Sequence, residues 1–227
     1  MAKETWSRAD LHIHSTYSDG IHDIPTILEH VASATDLRLI AITDHDCIEG
    51  SIEAQHLAPR YGLQAIPGQE VTTARGHLLA LFTRESVPAG LSIPETVACV
   101  REQGGIAVLA HPYDYLCNSP MRHRPRPTWE EWCNFGVDGL ETLNGSQIDP
   151  TAGKRTFRLA KRLEVAEIGG SDAHEKSVIG VAQTLFPGHS PRDLRRAILD
   201  RTCLVTGGRW TARAYLGWFT RLFVPRS

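Results

Sequence analysis

The sequence predicts an α/β fold in which parallel strands close, or nearly close, into a barrel. Two observations point there. Apolar runs of strand length alternate with stretches of helical period, six or seven times along one chain. Several strand candidates also finish in metal-ligand residues: His12 with His14, His45, Glu70, His111, and Asp172 with His174. In parallel barrels the working residues gather at the C-terminal ends of the strands, so this recurrence predicts one shared site. A length of 227 residues suffices for one such domain.

The first strand candidate is Asp10-Leu11-His12-Ile13-His14, whose period of two puts both imidazoles on one face. Apolar residues at helical spacing (Ile24, Ile27, Leu28, Val31) predict a helix over 24–34, with Pro25 acceptable in its first turn. Leu39-Ile40-Ala41-Ile42 is a buried-strand run ending at Thr43-Asp44-His45-Asp46. A polar helix over 49–61 precedes a strand over 63–66, which ends at Gly68-Gln69-Glu70. The next strand, 77–82, carries its histidine, His77, at its start. A helix over 93–103, stopped by Gly104-Gly105, leads to a strand over 106–110 and then His111-Pro112. A long loop containing Arg122, His123, Arg124 and Arg126 leads to a short helix over 129–134 and a strand over 137–143, ending at Asn144. A basic amphipathic helix over 151–163 and a strand over 165–168 lead into Gly169-Gly170-Ser171-Asp172-Ala173-His174. A helix over 191–200 and a strand over 203–205 complete the pattern. Strands alternating with helices imply right-handed parallel crossovers.

An apolar share of 41% with 22% charged residues describes a globular chain, neither disordered nor membrane-embedded. A net charge of −2 exerts no general pull on nucleic acid, so stable binding to long polynucleotides is not expected. The N-terminus lacks the apolar core of a signal peptide, and no run is long enough to span a bilayer. Five dispersed cysteines without a Cys-x-x-Cys pair read as reduced thiols in a cytoplasmic setting. Cys47, close behind Asp44-His45, is a candidate outer ligand or nucleophile, although an incidental packed thiol is the simpler reading.

Histidine and carboxylate ligands without cysteine suit zinc, manganese or iron. The set His12, His14, Asp19, His45, Glu70, His77, His111, Asp172 and His174 is too large for one tetrahedral ion, and fits two or three, with a carboxylate such as Glu70 bridging a pair. Clustered ions activate water and neutralise an oxyanion leaving group, which is what phosphate ester hydrolysis requires.

These residues resemble the PHP (polymerase and histidinol phosphatase) superfamily, and its small stand-alone metal-dependent phosphoesterases in particular. The likeness runs through Asp10-Leu11-His12-Ile13-His14-Ser15, Ser18-Asp19-Gly20, Ile42-Thr43-Asp44-His45-Asp46, Pro67-Gly68-Gln69-Glu70-Val71, Gly76-His77-Leu78-Leu79, Ala110-His111-Pro112 and Gly169-Gly170-Ser171-Asp172-Ala173-His174, within about residues 8–208. It implies a distorted (β/α)7 TIM-like barrel and up to three metals. His12, His14, Glu70 and Asp172 would hold one ion, Asp19, His45 and His174 a second, and Glu70, His77 and His111 a third. It further implies attack on phosphorus by a metal-bridging hydroxide, on a nucleotide or short oligonucleotide. Only about sixty residues separate His111 from Asp172, so the insertion that shapes a nucleotide pocket in longer relatives is small or absent.

Outside the ligand set, Asp44 is a candidate outer-shell carboxylate or proton carrier, and helix capping explains it equally well. Arg122 and Arg124 are candidates for clamping a phosphate, and His123 for protonating the leaving group; a solvated charged loop is the competing reading. Asn144 is a candidate pocket residue or a simple turn former. Residues 1–208 form the expected phosphoesterase domain, and 209–227 an aromatic and basic tail. A tail helix with Trp210, Ala214, Trp218 and Leu222 on one face is expected to pack on the barrel or on a second subunit, with contact to a membrane surface as the competing reading. The competing functions are a histidinol phosphate phosphatase, an amidohydrolase-type metal hydrolase, and a non-enzymatic metal-binding or regulatory module.

Overall fold

The computed structural model describes residues 5–115 and 118–222, and of Phe219, Arg221 and Leu222 only the backbone. The strands are β1 (Trp6–Ile13), β2 (Leu39–Ile42), β3 (Gln64–Ile66), β4 (Gly68–Thr73), β5 (Gly76–Leu81), β6 (Ile106–Leu109), β7 (Gly139–Asn144), β8 (Ala166–Gly170), β9 (Ala182–Pro187) and β10 (Leu204–Gly207). The helices are α1 (Ile24–Ala34), α2 (Glu49–Leu57), α3 (Ile93–Glu102), α4 (Trp129–Asn134), α5 (Ala152–Leu163), α6 (Pro191–Leu199) and α7 (Ala212–Leu222). The expected helices all form within a few residues of their sequence-derived bounds. The local signals are strong: Asp23 caps α1, and reciprocal capping boxes pair Ser92 with Glu95, Thr128 with Glu131, and Ser190 with Asp193.

The strands form two five-stranded sheets, in the orders β10-β9-β1-β2-β3 and β4-β5-β6-β7-β8. In the first, β1, β2 and β3 are parallel, while β9 runs antiparallel to both β1 and β10. In the second, β4, β5 and β6 are antiparallel, and β6, β7 and β8 parallel. The expected all-parallel barrel is therefore corrected to two mixed sheets. Only Ala74 and Arg75 separate β4 from β5, far too few for the crossover a parallel pair needs, so the chain turns back as a hairpin. Isolated bridges link the sheets at Ile13 with Ala173 and at His45 with Glu70.

The central core draws on both sheets, with Leu11, Leu39, Ala41 and Ile66 facing Leu79, Ile106, Val108 and Ile168. Alternate residues point outward. Ile40 and Ile42 of β2 pack with α1, and Ala107 and Leu109 of β6 join the cluster that contains α3 residues. The tail belongs to the fold: Trp210 is buried, and Ala214, Tyr215 and Trp218 of α7 pack against the α1 side. The side chain of Leu222, expected on the same face, lies outside the described residues, as do residues 223–227 and Cys117. Among the described residues no helix is long and apolar enough to cross a membrane.

Candidate metal centre

Glu70 is the centre of the site. It lies in β4, whose backbone is held against the residues after β2: its N–H donates to Asp44 O (3.2 Å) and its carbonyl accepts from Asp46 N–H (2.9 Å). One carboxylate oxygen, Oε2, lies 3.0 Å from His12 Nε2, 3.3 Å from His14 Nε2 and 3.4 Å from His45 Nδ1. The other, Oε1, lies 3.0 Å from His77 Nδ1 and 3.1 Å from His111 Nε2. Asp172 Oδ1 faces His12 (3.5 Å) and His14 (3.3 Å) from the opposite side. Asp19 reaches in from the loop after β1, with Oδ2 3.0 Å from His174 Nε2 and 3.9 Å from His45 Nε2.

The position of His77 follows from the topology. Because β5 runs antiparallel to β6, its start lies at the same end of the sheet as the finish of β6, and Ala110 N–H donates to His77 O (3.0 Å). Local backbone strain also serves the cluster. His111 has φ 27° and Asp172 φ 52°, a region that side chains other than glycine enter only when their surroundings impose it. Gly170 lets β8 approach β1, since a Cβ there would lie 2.6 Å from His12 Cβ and 2.7 Å from Glu141 Oε1.

All nine sequence-predicted ligand residues therefore come together. Three sets each offer donor atoms within 4.8 Å of one another: His12, His14, Glu70 and Asp172; His14, Asp19, His45 and His174; and His45, Glu70 and His77. His14 and His45 each join two sets, so the grouping overlaps more than the sequence suggested. His111 meets the cluster through Glu70. The donor chemistry fits divalent cations. The buried atoms His12 Nε2, His14 Nδ1 and Nε2, and His111 Nδ1 make no hydrogen bond, although carboxylate oxygens lie close to several of them.

The electrostatics agree. Burial alone would keep His12 neutral, but Glu70, Asp172 and Glu141 outweigh it and raise its pKa well above the usual value. The same contest, against Asp172 and Glu70, lifts His14 to about 10, and Glu70 lifts His111 to about 9. Burial would raise Glu70 and Asp172, but the surrounding histidines hold both well below the carboxylate range. Asp19 is likewise lowered against burial by His174. Burial instead lowers His45, so the raised groups are His12, His14 and His111, whose protons a metal would displace.

Glu141 escaped the sequence reading. It is buried in β7, accepts at Oε1 from His12 Nδ1 (2.9 Å) and at Oε2 from the His111 N–H (3.0 Å), and binds the Asn144 amide (2.9 Å). A carboxylate inside the otherwise apolar run Gly139-Leu140-Glu141 was the available signal. Asn144 and Ser146 both donate to Asp172 Oδ2, at 3.1 and 2.6 Å, leaving Oδ1 to face the histidines.

A cavity of about 310 Å³ opens over the cluster. Its lining includes His45, His77, His111, Asp114, Trp210 and Trp218, so Asp114 is a further residue that sequence reading missed. Asp44 does not line it. Its carboxylate accepts from Ser15 N–H (2.7 Å), Ser15 Oγ (2.6 Å) and Ser18 Oγ (2.7 Å), which fixes the loop that carries Asp19. Arg122, His123 and Arg124 are absent from the lining too. Both arginines are exposed, and His123 Nε2 pairs with Asn118 Oδ1 at 2.8 Å. Cys47 Sγ donates to Glu49 Oε2 (3.1 Å) rather than joining the cluster.

Residues 10–146 match the model of the PHP domain, and residues 150–203 that of the PHP-associated family. An uncharacterized protein of Methanocaldococcus jannaschii is 33% identical over 153 residues, 63% of this chain and 84% of that protein. A phosphoribosyl 1,2-cyclic phosphate 1,2-diphosphodiesterase of Eggerthella lenta is 41% identical over 86 residues, 35% of this chain and 32% of that enzyme. The fold resembles a two-domain protein of Bacteroides vulgatus containing a predicted PHP-like metal-dependent phosphoesterase. The TM-score is 0.74 at 20% identity, covering 97% of this chain and 71% of that one. With its cluster of buried histidines and carboxylates, the chain belongs to the PHP domain family of metal-dependent phosphoric ester hydrolases.

Proposed function

We propose that the protein hydrolyses a small phosphate ester, of nucleotide or short oligonucleotide type, with two or three zinc, manganese or iron ions held by the nine clustered residues. The observation that carries this reading is the divided carboxylate of Glu70: one oxygen faces His12, His14 and His45, the other His77 and His111. A carboxylate presenting each oxygen to a separate group of imidazoles suits a bridge between ions. Bound ions would supply an activated water and charge neutralisation for the phosphoryl oxygens.

The chain's own residues supply position. Glu141, bound to His12 Nδ1, turns Nε2 of that ring toward Glu70 and Asp172. Ser146 and Asn144 fix Asp172, while Asp44 fixes the loop of Asp19. The free thiols of Cys47, Cys99, Cys133 and Cys203 support a cytoplasmic setting. The core shared between sheets, with bridges at both seams, supports reading them as halves of a distorted (β/α)7 barrel.

The test is phosphate release by manganese-loaded protein across mononucleotides, a 3′,5′-bisphosphonucleotide, histidinol phosphate, a short oligonucleotide, an aryl phosphate and an amide control. The expected result is turnover of phosphate esters, abolished in folded His45→Ala and Asp172→Ala variants. Normal turnover in those variants overturns the site, and hydrolysis of the amide alone overturns the reaction class.

A further inference from the structure

Phosphate chemistry does not account for the roof of the cavity. Trp210, just before α7, and Tyr215 and Trp218 within it line the cavity alongside the histidines, with Ile148 among them. The Trp218 ring lies 5.2 Å from that of His174, and Trp210 lies 5.3 Å from Tyr215. A helix that merely buried an apolar face would pack its rings to interior density. Here about 310 Å³ stays open beneath them, and a second cavity of about 350 Å³ lies between α7 and the segment 175–181.

Two of the three rings are held by hydrogen bonds, and the Trp218 ring lies beside those of Trp210 and His174. Trp210 N–H donates to Gly145 O (2.7 Å), its indole N–H to Ser171 O (2.9 Å), and the Tyr215 hydroxyl to Ser146 O (2.6 Å). Ser146 in turn donates its own hydroxyl to Asp172 (2.6 Å), so the aromatic wall and the ligand cluster share one support. A pocket with a polar, charged floor and a fixed aromatic wall fits a molecule with two unlike ends. The phosphoryl group belongs over the cluster, and the wall asks for a flat ring.

We propose that the aromatic wall of Trp210, Tyr215 and Trp218 is the specificity element of the site, and that it stacks on a planar aromatic or heteroaromatic ring of the phosphate ester. This rests on the phosphoesterase reading above. Ring stacking tolerates different rings because each presents a π-face, so the wall selects for a ring rather than for one base. The volume, near the lower end of about 300–1,000 Å³ for ligand pockets, is enough for one ring-bearing unit.

The test compares kcat/KM for adenosine 5′-monophosphate with that for ribose 5-phosphate, which lacks the ring. It uses manganese-loaded full-length protein and the variants Trp218→Ala, Trp218→Leu and Leu216→Ala. The leucine variant keeps apolar bulk without a ring, should the alanine variant fail to fold; the exposed Leu216 serves as the control. The expected result is a preference for the ring-bearing ester that falls at least about fivefold on loss of the Trp218 ring, the low end of stacking contributions, and is unchanged in Leu216→Ala. Tryptophan fluorescence of metal-free protein gives a readout independent of turnover: adenosine 5′-monophosphate should quench it and ribose 5-phosphate should not. An equal preference in wild type and Trp218→Leu, or equal quenching by the two compounds, overturns the aromatic wall. Absence of all phosphate release, with selective quenching retained, overturns the phosphoesterase reading instead.

Discussion

Glu141 Oε1 lies 2.9 Å from His12 Nδ1, while its second oxygen accepts the His111 backbone N–H at 3.0 Å. One buried carboxylate thus orients the His12 ring of β1 and fixes the residue that closes the strand region after β6. Replacing it with glutamine removes the charge and turns an amide donor toward groups that already donate. The expected outcome for Glu141→Gln is a loss of metal affinity of about 10–100-fold with the fold retained. Competition against a chelator, with circular dichroism alongside, measures it.

Glu70 faces five histidines with its two oxygens. In Glu70→Gln one of those oxygens becomes an amide nitrogen, which cannot bind a cation. Metal content per chain should fall by at least one equivalent, and turnover by more than about 100-fold, above the range for an outer-shell change. Elemental analysis and phosphate release check the two effects separately.

Stability of the chelated protein should depend on pH in a defined direction. The folded-state pKa of His14 is raised to about 10 and that of His111 to about 9, so each stabilises the fold below the usual histidine value near 6.5, and this stabilisation is lost as pH climbs toward those values. Glu70 and Asp172, held low, stabilise the fold above the usual carboxylate range, and that contribution is lost as the solution turns acid. Chelated protein should therefore melt highest between about pH 5 and 6.5, and progressively lower from pH 7 to 10. Metal-loaded protein should show a flatter profile above pH 7, because cations then carry the charge. Thermal melts with and without chelator decide this.

Gly170 tests the close approach of β8 to β1. A methyl group there would lie 2.6 Å from His12 Cβ, so Gly170→Ala must move backbone or ligand. The expected cost is about 1–3 kcal/mol of stability together with weaker metal binding. Denaturant midpoints and metal titration measure the two effects, and an unchanged affinity would show that the strand shift is absorbed elsewhere.

The sequence by itself determined the candidate ligand residues and most of the elements, because both are written locally. His12 and His14 share a face through the period of a strand, and capping residues such as Ser92 and Glu95 mark a helix start wherever they occur. The mixed sheets were decided by tertiary structure. Nothing local to Ala182–Pro187 says that β9 will run antiparallel to β1, and the short link between β4 and β5 gains meaning only once a partner edge is available. Spatial order likewise decided the supporting residues. Glu141 reads as an odd carboxylate in a strand until β7 carries it under His12 and His111. Asp44 adjoins His45 in sequence but is claimed by Ser15 and Ser18 across a sheet. The tail gave only an amphipathic face, and packing alone laid Trp210 and Trp218 beside the histidine cluster. Ligand identity is chemical and survives in one dimension. Which group supports which ligand depends on distances between strands far apart in the chain, and these exist only after the core has formed.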